Sequence, residues 1–202
     1  MFDVLIVGGG VAGVSCALLL GSAKNKEYAS LKEIAIISHQ KTSSLQEAIF
    51  NNAYGINPGK TGAELLEESL KHLSDLYPHV LMIEGEKVLQ IAGSYPEYTV
   101  FTNKRSYKTK IIVVAIGYAN TFAIEGLTQY IIPHEKANPS KNRVQLKNVD
   151  HKVADGIYVA GNLAGWRSQL SIASGSGACV ATDILTLWND GAHSQSHDSI
   201  KK

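Results

Sequence analysis

Residues 3–7, 33–37, 110–116 and 156–160 are almost continuously apolar and rich in β-branched side chains. That is the pattern of strands covered on both faces, as in a parallel sheet. Three of the four run straight into glycine, at Gly8, Gly117 and Gly161. Between them, residues 11–20 read as an apolar helix. Residues 172–188, IASGSGACVATDILTLW, read as a helix of small residues whose start can approach a bound molecule closely. A third helix is announced by Thr61-Gly62-Ala63-Glu64, a capping box, followed by Leu65, Leu66, Leu70, Leu73 and Leu76 on one stripe. The stripe predicts core, and Glu67, Glu68 and Lys71 a wet face.

Segments 80–83, 87–91 and 98–102 are shorter and separated by polar or glycine-containing stretches, which predicts a small antiparallel layer. Residues 42–60 have no sustained period. They carry Asn51-Asn52, Gly55 and Asn57-Pro58-Gly59, the composition of an ordered loop of the long kind that is often functional. The pattern as a whole predicts an α/β chain: one domain over residues 1–188, a central parallel sheet, a β excursion at about 80–109, and a frayed polar tail over 189–202.

At 202 residues the chain has room for one such domain and little room for two nucleotide-binding domains. Nineteen Lys and Arg against eighteen Asp and Glu leave no basic block to grip a nucleic-acid backbone. Cys16 and Cys179 lie far apart with no C-x-x-C, so a local dithiol or zinc knuckle is absent and both cysteines read as packing residues. The uncharged stretch 4–23 is interrupted by Gly8-Gly9-Gly10, against both a signal peptide and a membrane span. A soluble, unprocessed, cytoplasmic chain is expected.

Gly8-x-Gly10-x-x-Gly13 stands between the first strand and the first helix. There the first glycine allows a tight turn, the second clears space for pyrophosphate, and the third lets helix and strand come close. Amides at the start of the helix, around Val11 and Ala12, complete the cradle. An acid for a ribose is expected after the second strand, where the sequence reads Ser38-His39-Gln40-Lys41. Ser38 offers a weaker hydrogen bond, and His39 and Lys41 border the adenosine end or are merely solvated. The motif by itself also suits methyltransferases and nicotinamide enzymes.

Taken in order, VLIVGGGVAG, NPGKTGAELLEESL, VVAIG, GIYVAGN, Gln169 and SGSGACVATDIL make the chain resemble the FAD-binding part of the thioredoxin reductase-like flavoproteins, within the pyridine nucleotide-disulfide oxidoreductase group. The resemblance covers most of residues 2–188. It implies a Rossmann-like FAD/NAD(P)-binding fold, with FAD pyrophosphate at Gly8, Gly10, Val11, Ala12 and Gly13. Ser38 takes the place of the family's ribose-binding acid, with His39 beside it. Asn57 lies on a loop passing near the flavin, and Gly117 ends the strand where the family tends to carry A-T-G. Gly161 and Asn162 replace a glycine-aspartate pair that faces the ribityl chain, so the amide is kept and the charge lost. Gln169 and Leu170 lie by the isoalloxazine ring, with Arg167 displaced by Ser168. The family's NADPH domain, ordinarily inserted after the A-T-G strand, has only residues 118–155 in its place, and its redox-active cysteine pair is absent.

The resemblance implies an FAD-dependent oxidoreductase that moves electrons or hydride through noncovalent FAD. NADH or NADPH as a transient donor, or a small-molecule or protein donor and acceptor, would complete the cycle. The family's habit implies a homodimer. No catalytic side chain or metal site stands out, and His134, in the shortened bridge, reads mainly as an ordinary exposed loop histidine. Two other readings stay open: a noncatalytic FAD-binding module for redox sensing or assembly, and an NAD(P)-dependent dehydrogenase.

Overall fold

The computed structural model describes residues 1–39, 45–117, 122–194 and 196–197. In chain order the elements are β1 (Phe2–Val7), α1 (Val11–Ser22), β2 (Ile34–Ser38), β3 (Ile49–Phe50), β4 (Lys60–Thr61), α2 (Gly62–Leu76), β5 (Val80–Glu84), β6 (Val88–Ser94), β7 (Glu97–Thr102), β8 (Ser106–Val114), β9 (Ile131–Pro133), β10 (Val144–Leu146), β11 (Lys152–Ala154), β12 (Ile157–Val159) and α3 (Leu170–Trp188). The main sheet runs β11-β12-β8-β1-β2-β5. Strands β12, β8, β1, β2 and β5 are parallel, and β11 turns back antiparallel.

Alternation along the central strands divides the core between two layers. Val4, Ile6, Ile34, Ile36, Ile111 and Val113 face the three helices. Their neighbours Leu5, Val7, Ala35, Ile37, Ile112 and Val114 face the β6–β7 hairpin, the segment that leads to β12, through Leu127 and Leu146, and the turn after β12, through Leu163. Near-continuous hydrophobicity in β1, β2 and β8 is thus the consequence of cover on both sides. β8 joins the two parts: residues 106–109 pair antiparallel with β7, and residues 109–114 pair parallel with β1. Buried Glu86 pins the hairpin through Arg105 at 3.0 Å, Thr102 at 2.7 Å and Tyr107 at 3.0 Å.

Three sequence expectations need correction. Residues 80–84 are not part of the antiparallel layer: β5 pairs parallel with β2, Val80 beside Ile34 and Glu84 beside Ser38. Helix α2 supplies the crossover, and as the sheet's edge strand β5 leaves Leu81 49% exposed, which mimics a half-wet antiparallel strand. The α2 stripe is only partly core. Leu73 is fully buried and Leu76 is exposed, while half-buried Leu65 and Leu66 line a cavity. The tail does not fray at residue 189, since Asn189 Nδ2 donates to buried Ser194 Oγ at 2.9 Å and Ser22 Oγ donates to Ser196 Oγ at 2.8 Å.

By length and composition α3 is the one described helix apolar enough to cross a membrane. Its Val180, Ala181, Ile184 and Leu185 are buried in the layer that also holds α1.

Candidate cofactor site

The carboxyl ends of β1, β8 and β12 stop level, Val7 beside Val114 and Val114 beside Val159. Beyond them the chain is held in place by backbone bonds: Gly8 N–H to the Ile37 carbonyl at 2.8 Å, Ala115 N–H to Val7 at 2.8 Å, and Ala160 N–H to Val114 at 2.9 Å. A crevice at this end of a parallel sheet is where α/β proteins bind ligands.

The three fingerprint glycines do different work. A Cβ on Gly13 would lie 1.9 Å from the Gly8 carbonyl oxygen, and one on Gly8, whose φ is +120°, 2.4 Å from that of Ala115. Both positions are closed by packing. A Cβ on Gly10 would meet nothing within 4 Å. Gly10 is therefore the fingerprint glycine that leaves room for a ligand to come near the backbone. Gly10 is also the N-cap of α1, and no side chain among the described residues caps the helix there. Its first N–H groups and its dipole are left for an anion.

Helix α3 begins beside the same crevice. Gly177 permits its close approach, because a Cβ there would lie 2.0 Å from the Ala12 carbonyl oxygen, and Ser15 Oγ donates to the Ser174 carbonyl at 2.8 Å. Gln169 is the N-cap residue of α3, exposed and likewise without a side-chain cap bond, and Leu170 is the first residue of the helix. Between the two helix starts and α2 lies a cavity of about 150 Å³ lined by Val11, Ser15, Leu45, Ile56, Leu65 and Leu170 among others. That is smaller than the roughly 300–1,000 Å³ of a pocket that encloses a whole ligand, and the cavity opens onto the crevice.

Asn162 stands on the short 3₁₀ turn Gly161–Ala164 that follows β12. Its Oδ1 is buried and has no hydrogen-bond partner among the described residues. A buried carbonyl-type oxygen without a donor is costly and points to a missing one. Gly161 sits against Ala12, with a Cβ there 3.1 Å from the Ala12 Cβ. Gly8, Gly10, Val11, Ala12, Gly13, Gly161, Asn162 and Leu170 are thus brought together around the starts of α1 and α3.

Other expected positions lie at the rim. Ser38 packs onto the glycine turn, since a Cβ on Gly9 would lie 2.7 Å from its Cβ, and His39 is exposed just beyond. Asn57 is exposed in its turn, while its neighbour Ile56, like Leu45 earlier in the loop, reaches the cavity. Gly117, at φ +74°, also has open space where a Cβ would be. Lys41 lies outside the described residues. Arg167 is exposed, and its carbonyl accepts the Gln169 N–H at 2.9 Å.

Sequence reasoning missed two groups, Glu84 and His151, and misplaced a third, His134. Glu84 is exposed in register with Ser38 on the neighbouring strand, which puts a carboxylate on the face where the ribose-binding acid is lacking. The strand-then-acid ending of residues 80–84 carries that signal, which only the parallel pairing with β2 makes legible. His134 is buried rather than exposed, with Nε2 3.0 Å from the Asn162 carbonyl oxygen. His151, also buried, reaches Ser176 at 2.9 Å. Cys16 is buried, which pushes its thiol pKa up, whereas Cys179 is exposed; both are free.

Residues 2–164 match the model of the pyridine nucleotide-disulphide oxidoreductases. The chain belongs to that family. Among curated relatives, the ferredoxin–NADP reductase of Streptococcus gordonii is 29% identical over 122 residues, covering 58% of this chain and 35% of that protein. The ferredoxin–NADP reductase of Streptococcus pyogenes serotype M3 is 30% identical over 123 residues, 57% of this chain and 34% of that protein. The chain thus matches about a third of the length of these curated relatives. Among solved structures, a thioredoxin reductase from Gloeobacter violaceus superposes with a TM-score of 0.71 at 16% identity, covering 99% of this chain and 98% of that one. An oxidoreductase from Agrobacterium tumefaciens gives 0.69 at 15% identity, covering 92% and 98%. At such identities the likeness is one of fold. The family's Rossmann-like architecture, a parallel sheet with flanking helices, is the fold found here.

Proposed function

We propose that the chain is a compact FAD-dependent oxidoreductase built as a single domain over residues 1–188. The observation that carries the reading is the convergence of the uncapped start of α1, the open face of Gly10 and the orphaned Asn162 Oδ1 at one end of the sheet. These suit the cofactor in turn. Amides of Val11, Ala12 and Gly13 would take the pyrophosphate, and Asn162 Oδ1 would accept a hydrogen bond from a ribityl hydroxyl. Glu84, with Ser38 and His39 beside it, would meet the adenosine ribose. Gln169 and Leu170 at the start of α3, with Gly117 and the loop of Asn57, would border the ring. When bound, the flavin supplies the electron- or hydride-transfer chemistry, and these residues bind and orient it.

NADH or NADPH docking transiently, or a protein donor, would reduce the site, with the cytoplasm as its setting. The short connection from β8 to β12 favours a second reading, a noncatalytic FAD-binding module for redox sensing or assembly. A visible spectrum of freshly purified protein, with release and identification of the cofactor, tests both. Bound FAD that is reduced anaerobically by NADH or NADPH and reoxidised by an acceptor supports the enzyme; bound FAD that neither nucleotide reduces moves the weight to the module. A colourless protein that fails to take up FAD and binds NADH instead would sink both.

A further inference from the structure

The turn that presents Asn162 is held from two sides by histidines of different elements. His134 follows β9, and its ring is buried. The Lys136 N–H donates to its Nδ1 at 3.2 Å, so the proton of the neutral ring sits on Nε2 and is donated to the Asn162 carbonyl at 3.0 Å. On the other side, the indole Nε1–H of Trp166 lies 3.1 Å from His151 Nε2. An indole N–H only donates, so this nitrogen accepts, and the His151 proton sits on Nδ1. Ser176 Oγ lies 2.9 Å from the same Nε2, whose one lone pair takes the indole N–H, and the hydroxyl accepts the Gly161 N–H at 2.8 Å. The two histidines are opposite tautomers, and each is fixed by a donor-only or acceptor-only partner.

His151 is kept there at a conformational cost. It shares a two-residue turn with Asp150, at φ +70° and +46°, closed by mutual bonds of 3.0 and 2.8 Å between Val149 and Lys152. Both central residues of such a turn favour glycine, asparagine or aspartate. A buried imidazole in this place is explained by what its far nitrogen holds.

We propose that His134 and His151 are positioning residues for Gly161 and Asn162, and that the His151 link works only while the ring is neutral, so that cofactor capture at this turn is sensitive to acid. A proton on His151 Nε2 would face the Trp166 N–H donor to donor and release the segment that follows the turn. The charged groups around it are Asp150 on its own turn, Asp183 on α3, and Lys136, whose Nζ lies 4.1 Å above the Trp166 ring. Around His134 stand Glu135, Lys136 and Arg143, whose carbonyl accepts the His134 backbone N–H at 2.9 Å. Burial holds the His151 pKa below the ordinary 6.5, and Asp183 and Asp150 pull the other way. A pKa lowered by folding leaves the neutral-ring contribution complete above that ordinary value and removes it as pH falls toward the folded-state value.

The inference rests on FAD binding, and two measurements keep it separable from that reading. Long-range ¹H–¹⁵N spectra of the full-length apo protein should show His134 protonated on Nε2 and His151 on Nδ1. The reverse tautomers, or rapid averaging of both rings, overturn the inference whatever the cofactor does. Titrations of FAD fluorescence should then show affinity falling severalfold, by less than about ten, from about pH 7.5 to about pH 5.5. His151→Gln, which keeps an acceptor but cannot titrate, should bind within about threefold of the parent at about pH 7.5 and lose the pH dependence, whereas His151→Leu should bind about tenfold more weakly than the parent at about pH 7.5 and lose nothing further at about pH 5.5. Circular dichroism confirms that each variant is folded. Equal binding by all three proteins across this range overturns the inference alone; absence of FAD binding at any pH overturns the functional reading and this inference with it.

Discussion

Gly10 and Gly13 lie in one turn, yet a methyl group added to each meets different surroundings. At Gly13 it would lie 1.9 Å from a backbone oxygen, which has no flexible end to yield. Gly13→Ala should destabilise the fold by about 1–3 kcal/mol, read from urea unfolding of the apo protein. At Gly10 the methyl enters empty space, so Gly10→Ala should cost about 1 kcal/mol or less, the usual penalty for alanine at an N-cap, while weakening FAD binding about tenfold or more. Asn162→Ala separates the same two properties from the other side of the crevice. It removes an oxygen that already lacks a partner, so apo stability should hold or rise, and FAD affinity should fall about tenfold. Lost apo stability with unchanged FAD affinity would show that Asn162 serves the fold instead. The fingerprint was legible in the sequence because its constraints are local, set by neighbours along one turn. Glu84, His134 and His151 were not, because one depends on strand register and the others on bonds spanning 28 and 25 residues.

Helix α2 shows how far local signals carry at the scale of an element. The capping box read from Thr61 and Glu64 is present in full: Glu64 N–H donates to Thr61 Oγ1 at 3.3 Å, and the Thr61 N–H donates to the Glu64 carboxylate at 2.9 Å. The Thr61 hydroxyl, donating at 2.6 Å, and then the Thr61 N–H hold the Glu64 carboxyl below the usual range. Thr61→Ala should destabilise the protein by about 1 kcal/mol, measured by chemical denaturation, and loosen the α2 wall of the cavity without touching the glycine turn. Core strands were equally legible, since burial on both faces leaves its mark in the residues themselves. The strand that follows α2 was not. An edge strand of a parallel sheet is half wet, and its composition cannot distinguish it from a hairpin strand. What decides is the helical crossover before it, which returns the chain in the same direction. That pairing matters for the site, because it alone sets Glu84 beside Ser38.

For the whole molecule, the question is whether the fold waits for its cofactor. Both core layers are closed by protein alone, with Leu5, Ile6, Leu20, Leu73, Ile112, Leu146, Leu163 and Leu185 almost fully buried. At the opposite end of the sheet Asp3 ties strands together independently of the crevice. It bonds Lys110 Nζ at 2.8 Å and the Glu33 N–H at 3.0 Å. Burial works to raise its pKa, and these bonds with the charges of Lys110 and Lys32 outweigh it, leaving the carboxyl below its ordinary value. Apo protein should therefore fold, and FAD should add to stability by mass action rather than create it. At FAD about a hundredfold above its dissociation constant the gain is about 2.7 kcal/mol, roughly a 5–10 °C rise in Tm for a chain of this size. Thermal melts of apo protein with and without FAD measure it, and Gly10→Ala should melt cooperatively while showing little of the rise. A parent protein that melts only when FAD is present would mean that the cofactor completes the core. A rise of equal size in Gly10→Ala would place the nucleotide somewhere other than this turn.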